Sequence, residues 1–235
     1  MPRFRLKPLW LVSVPLLAGC DGPLSTLAPA GPAARDIAWL WWGMLAGATL
    51  ITLLVLAMVA LALSRGPRRT SGRVWTIHWG LGFTMSVLAV LLGFGLWIGE
   101  RMISRDDGAV RVTALAYKWG WRFTQPGPDG RDVTTESILY VPAGQPFDVL
   151  LQSQDVIHGF WVPQLGGKMD AIPGHDNIHR LQADAPGRHE GLCAEFCGIG
   201  HTEMRFEVVV YDPDGPLPDF TDAPTDAPTD DEAAR

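Results

Sequence analysis

Cys193-Ala-Glu195-Phe-Cys197-Gly-Ile-Gly-His201-Thr-Glu-Met204 is the stretch from which the rest of the chain is read. Its twelve residues hold two cysteines four apart, a histidine four residues on and a methionine three beyond that. All four are soft or borderline metal donors. A thioether is a poor zinc ligand, so this set suits copper better than zinc. One thiolate would serve a single blue-copper ion. Two thiolates can instead bridge two copper ions, with one imidazole on each. The candidate for the second imidazole is His158, in Asp155-Val-Ile-His158-Gly-Phe-Trp-Val-Pro163. Three other readings use the same cysteines: a disulfide in an oxidising compartment, a membrane-anchored copper chaperone or thiol redox protein, and a structural zinc site. None of them needs His158, His201 and Met204 together.

Outward from this stretch, short runs rich in Val, Ile, Leu, Phe and Tyr recur between Gly and Pro turns from Arg101 onward. They are Val110–Val112, Ile138–Val141, Phe147–Leu151, Phe160–Val162 and Phe206–Tyr211. Such spacing predicts an antiparallel sandwich. The metal stretch then joins the last two strands, and His158 comes from a neighbouring strand end. His175, His179 and His189 lack a comparable setting and are not taken as ligands, and Met169 is read as packing.

Toward the N-terminus the chain becomes apolar. Ile37–Leu63 contains no charged residue over 27 positions, about 40 Å of helix, which is enough to span a bilayer with tilt. Val74–Gly99 is a second span, and His78 is its only ionisable group. His78 lies about one turn inside the span end and reads as a snorkelling interfacial histidine. Trp39, Trp41, Trp42 and Trp97 fall at one side of the two spans, and Trp75 and Trp79 at the other, as an aromatic belt does. Arg65, Arg68, Arg69 and Arg73 lie between the spans and place that connection in the cytoplasm, so both chain ends face the other side.

Arg3, Arg5 and Lys7 precede the apolar run Leu9–Ala18, the pattern of a secretory signal. It ends in Leu17-Ala18-Gly19-Cys20, which resembles a bacterial lipoprotein signal; cleavage there would leave a lipid on Cys20. Residues 21–34 are rich in Pro, Gly and Ala and read as a linker. Residues 211–235 carry eight acids against one base, with Thr-Asp-Ala-Pro repeated, and read as a disordered tail. Residues 101–210 hold 10 bases and 14 acids, a net of −4. That balance suits a basic partner and disfavours nucleic acid. No C-x-x-C-H haem-attachment motif occurs in the chain.

The Cys193–Met204 stretch closely resembles the binuclear copper (CuA) site of cytochrome c oxidase subunit II, a family of the haem–copper oxidases. Leu165–Gly174 (L-G-G-K-M-D-A-I-P-G) and Tyr117-Lys118-Trp119-Gly120-Trp121 resemble it too. The resemblance covers residues 37–211. It implies Cys193 and Cys197 as bridging thiolates, His158 and His201 as imidazole ligands and Met204 as a weak thioether. Glu195 would give its backbone carbonyl to copper and its side chain to a magnesium shared with subunit I. Trp119 would accept the incoming electron. Gly120 stands where the family usually has an aromatic residue, and Gly72 where it has a glutamate that admits protons.

The expected architecture is a lipoprotein signal (1–19), a periplasmic linker (20–36), a transmembrane two-helix hairpin (37–99), a periplasmic cupredoxin-like Greek-key β-barrel (100–211) and an acidic tail (212–235). The implied function is electron transfer from cytochrome c through copper to haem in subunit I, where oxygen is reduced and protons are pumped. The implied partners are subunits I and III, cytochrome c and the lipid bilayer, at the bacterial inner membrane. A quinol oxidase subunit II is the alternative within the family; such chains lack the copper ligands.

Overall fold

The computed structural model describes residues 22–65, 71–101, 109–127 and 130–220. The leader with Cys20, residues 66–70 of the arginine-rich connection and the tail beyond 220 lie outside the described residues. The chain divides into two units. One is Asp36–Ile103, and the other joins the residues up to Arg35 with those from Ser104 onward.

The first unit is helical. Helix α1 is Pro32–Arg65, and a second helical run begins as a π-wound segment, Val74–Phe83, and continues as α2, Thr84–Arg101. Both runs are long and apolar enough to cross a membrane. Several of their hydroxyls are bonded within the helix: Thr49 Oγ1 donates to the Leu45 carbonyl and Ser86 Oγ to that of Gly82, each at 2.8 Å. An apolar surrounding demands this, since it offers no water to a lone donor. α1 starts five residues before the uncharged stretch, taking in Arg35 and Asp36.

The second unit is built from ten strands: β1 (Val110–Tyr117), β2 (Gly120–Pro126), β3 (Asp132–Glu136), β4 (Ile138–Pro142), β5 (Pro146–Ser153), β6 (His158–Trp161), β7 (Met169–Ala171), β8 (Asn177–Gln182), β9 (Gly187–Cys193) and β10 (Arg205–Tyr211). They form two five-stranded sheets, in the orders β3-β2-β1-β5-β8 and β4-β10-β9-β6-β7. β1 runs parallel to β5 and β4 parallel to β10, and every other pair is antiparallel. The expected pair of apolar helices followed by a cupredoxin-like β-domain is the fold observed, and the two parallel pairs correct the expectation of a purely antiparallel sandwich.

Alternation sets the inner faces. Val112, Ala114 and Ala116 of β1 and Phe206, Val208 and Val210 of β10 are buried, while their neighbours are not. Between the sheets lies an aromatic cluster, in which Trp121–Phe160 ring centroids are 5.5 Å apart and Phe160–Phe206 4.7 Å. Each fully buried side chain of this kind contributes about 1.5–3 kcal/mol. Across β5 and β8 the half-buried Arg180 grips the buried Asp148 through two hydrogen bonds of 2.7 and 2.8 Å. Removing either partner would strand a charge, at a cost of about 3–5 kcal/mol.

Two outlying stretches are tied to the β-domain. The Ala30 N–H donates to the Gln164 carbonyl at 2.8 Å, the Ala30 carbonyl accepts from Asp184 N at 2.9 Å, and Arg35 pairs with Asp184. The stretch read as a linker therefore follows the β-domain surface into α1. At the other end, Phe220 packs against Tyr140 with ring centroids 4.8 Å apart and the rings tilted by 49°.

Candidate metal centre

The loop between β9 and β10 carries Glu195, Cys197 and His201, with Cys193 at the end of β9 and Met204 just before β10. Its neck is closed by Cys193 N–H donating to the Met204 carbonyl at 2.9 Å. His158 opens β6, which pairs with β9 so that Phe160 faces Cys193. The loop comes close to β6 because residue 159 is glycine: a Cβ there would lie 2.9 Å from backbone atoms of Ala194 and Glu195. Ala194 N–H uses that approach to reach the Gly159 carbonyl at 2.8 Å.

The six donors that the sequence singles out converge. Cys193 Sγ lies 3.8 Å from Cys197 Sγ, 3.8 Å from His158 Nδ1 and 3.2 Å from the Glu195 carbonyl. Cys197 Sγ lies 3.7 Å from His201 Nδ1 and 3.9 Å from Met204 Sδ. Both cysteines are free thiols. Two donors about 2.0–2.3 Å from one tetrahedral ion lie about 3.3–3.8 Å apart, so these spacings fit shared metal ligands. His158, Cys193, Cys197 and Met204 are buried, and His201 is half-buried.

Electrostatics suits the thiols to a cation. Burial pushes the Cys193 thiol up, but hydrogen bonds from His158 and from the backbone at Glu195 and Gly159 prevail and bring it down to about 6. Cys197 is pushed up to about 12, by burial and by the charge on Cys193 beside it. One thiolate forms readily, and the second needs a positive charge nearby, which a metal ion supplies. Burial works against charging His158, yet the hydrogen bonds to Cys193 and Asp155 raise it above the ordinary histidine value.

Asp155 holds the site from outside. Its Oδ1 lies 2.8 Å from His158 Nε2, and its backbone partners are Val156 N at 2.6 Å and Lys118 N at 2.8 Å. With Nε2–H donating to this carboxylate, Nδ1 is left as the acceptor facing the thiols, the usual arrangement for a metal-binding imidazole. Trp121, fully buried, packs its ring against His158 with centroids 6.3 Å apart, and its indole N–H has no hydrogen-bond partner among the described residues.

Trp119 lies in the β1–β2 turn and covers the metal loop. A Cβ on Gly200 would come within 2.5 Å of its ring, and one on Gly198 within 3.2 Å. Gly120 is filled in a different way: a Cβ there would meet the Tyr117 phenol at 2.5 Å. The Tyr117 ring thus occupies the space above residue 120, held by its hydroxyl on Glu136 at 2.9 Å. Glu195 points its carboxylate at Lys168, whose Nζ lies 3.1 Å away and also donates to Asp170 at 2.9 Å. His175, His179 and His189 do not belong to the donor cluster. His179 Nε2 is bound to the Gly167 carbonyl and His189 Nδ1 to Gln164.

The sequence profile of the family described as "Cytochrome C oxidase subunit II, periplasmic domain" matches residues 112–211. The chain is 29% identical over 236 residues to a cytochrome c oxidase subunit 2 of Alkalihalophilus pseudofirmus, covering 89% of this chain and 65% of that protein. It is 32% identical over 162 residues to an alternative cytochrome c oxidase subunit 2 of Bradyrhizobium diazoefficiens, covering 57% of this chain and 58% of that one. It is also 28% identical over 218 residues to a quinol oxidase subunit 2 of Bacillus cereus, covering 86% and 73%. The chain thus spans less than two thirds of the length of the first two. The matched residues 112–211 include every donor of the cluster, and over them the chain is similar to the periplasmic domain of cytochrome c oxidase subunit II.

Proposed function

We propose that this chain is the electron-accepting subunit of a cytochrome c oxidase, taking electrons from a cytochrome c and delivering them to haem in subunit I. The observation that carries the reading is the convergence of two thiols, two imidazoles, a thioether and a carbonyl on one buried point. A copper pair bridged by Cys193 and Cys197 would supply a one-electron couple whose charge is shared over both metals, so that little rearranges on reduction. His158, His201, Met204 and the Glu195 carbonyl complete the donor set. Asp155 fixes the His158 tautomer and ring orientation, and the buried aromatic cluster under Trp121 keeps water from the inner side.

Trp119 is the residue through which the electron arrives, because it lies against the loop that carries Cys197 and His201. The donor approaches a domain of net negative charge, which favours a basic cytochrome face. Glu195 offers a carboxylate for a magnesium shared with subunit I. Lys168 now holds that carboxylate and would have to move aside. Subunit III, proton pumping and oxygen reduction belong to the assembled complex.

The topology follows from the two spans. The residues around Ala30 are bound to the β-domain, which supports a reading with two crossings and both ends of the membrane segment on one side. With the arginines between the spans inside, the β-domain faces the periplasm, where Cys20 would carry its lipid. The quinol oxidase reading is the competitor, since several relatives bear that name. The full donor set argues against it, as an oxidase fed by quinol needs no copper pair here. Absorption and metal analysis of the purified protein decide: a purple two-copper centre supports the proposal, and a colourless protein without copper supports the competitor.

A further inference from the structure

Resting on the copper reading, we infer that copper reaches the site through the cavity beside Cys197, with Ile157 and Phe196 forming its mouth. A cavity of about 550 Å³ opens beside the metal loop and is lined by Val156, Ile157, Asp170, Glu195, Phe196, Cys197 and Gly198. Cys197 is the only ligand that lines it with a donor side chain; Glu195 contributes its carbonyl to the cluster. Of the other side-chain donors His201 is half-buried, and the rest are shut off. His158 is fully buried behind Asp155 and Trp121, and Cys193 and Met204 are 2% and 1% exposed. Trp119 lies across Gly198 and Gly200.

The chemistry of the lining matches the traffic. At the mouth, Phe196 is 78% exposed and Ile157 45%. Asp170 and Glu195 add carboxylates along the wall, both engaged by Lys168, so a cation passes negative groups before it meets sulfur. An arriving ion therefore binds Cys197 first. It is then shared with His201, 3.7 Å from that sulfur, and with Cys193, 3.8 Å away. His158, on the far side of Cys193, is reached last.

The test is the rate of copper uptake by the full-length metal-free protein in detergent, with thiols reduced and oxygen excluded. Cu(I) is offered as a coloured chelator complex, and loss of the complex is followed by rapid mixing. Ile157→Trp narrows the cavity without removing a donor, and Ile178→Trp is the control, at an exposed position outside the cavity. The route predicts uptake about tenfold slower in Ile157→Trp, with two copper ions bound at the end, and an unchanged rate in Ile178→Trp. Uptake by Ile157→Trp at the wild-type rate, with both ions bound, overturns the route. So does equal slowing in the two variants. If tryptophan at 157 lowers the final copper content, Ile157→Phe is read by the same criteria. Wild-type protein that binds fewer than two copper ions removes the copper reading itself and the route with it.

Discussion

Asp155 Oδ1 lies 2.8 Å from His158 Nε2, and Oδ2 of the same carboxylate accepts the Lys118 N–H at 2.8 Å. One side chain thus joins a metal ligand to the turn that carries Trp119. In the structure its carboxylate is engaged, and its pKa is lowered: burial pushes it up, but the bonds to His158 and to the Val156 and Lys118 N–H groups outweigh that.

Asp155→Ala should therefore act on the metal. Loss of a group that orients a ligand costs about 10–100-fold in affinity. Competition with a Cu(I) chelator measures this directly. The salt dependence of electron uptake should change little. Unchanged copper affinity with a flattened salt dependence would instead make Asp155 a charge that steers the basic donor.

Gly200 and Trp119 form the second pair to probe. A methyl group at 200 would stand 2.5–2.9 Å from three atoms of the indole, so Gly200→Ala must push the ring off the loop. Trp119→Ala removes the ring outright. Both variants should keep the copper spectrum and slow electron uptake from reduced cytochrome c, Trp119→Ala the more strongly. Rapid-mixing kinetics separate binding from transfer. Transfer at the wild-type rate in Trp119→Ala would make Trp119 a packing residue.

The four side-chain donors of the metal loop were legible in the sequence because they fall within one twelve-residue stretch. His158 was legible from its aromatic surroundings. β4, β5 and β10 showed as apolar runs. β8 and β9, by contrast, read Asn-Ile-His-Arg-Leu-Gln and Gly-Arg-His-Glu-Gly-Leu-Cys, with little apolar alternation. Their polar groups are absorbed by partners far along the chain, Arg180 by Asp148 and His189 by Gln164. The bond of Asp155 to the turn was not legible for the same reason: Lys118, 37 residues away, meets it only in the fold. Gly120 looked like a missing aromatic, whereas Tyr117 fills the space from across the hairpin.

His179 supplies a pH signature away from the metal. Burial holds it below the ordinary histidine value of 6.5, and the bond to the Gly167 carbonyl only partly opposes this. The unfolded chain takes up a proton below pH 6.5 that the folded chain refuses, so stability is lost as pH falls from 6.5 toward the lowered value. His179→Gln should flatten the fall in denaturant midpoint across that window relative to the wild type. An identical pH slope in both proteins would contradict the assignment.

Ligand substitutions should fall into two classes. Cys193→Ser or Cys197→Ser removes a sulfur shared by both metals, so the two-copper centre should be lost as a unit. Met204→Leu removes only a weak thioether, so both ions should stay bound with an altered potential or slower retention. Metal content together with the redox midpoint of each variant separates these outcomes.

The most direct test of the central claim is copper counted per polypeptide in the purified wild-type protein, together with its electron paramagnetic resonance spectrum. The account predicts two copper ions per chain and one unpaired electron shared equally over both. One copper ion per chain, zinc in its place, or an electron localised on a single copper would contradict it.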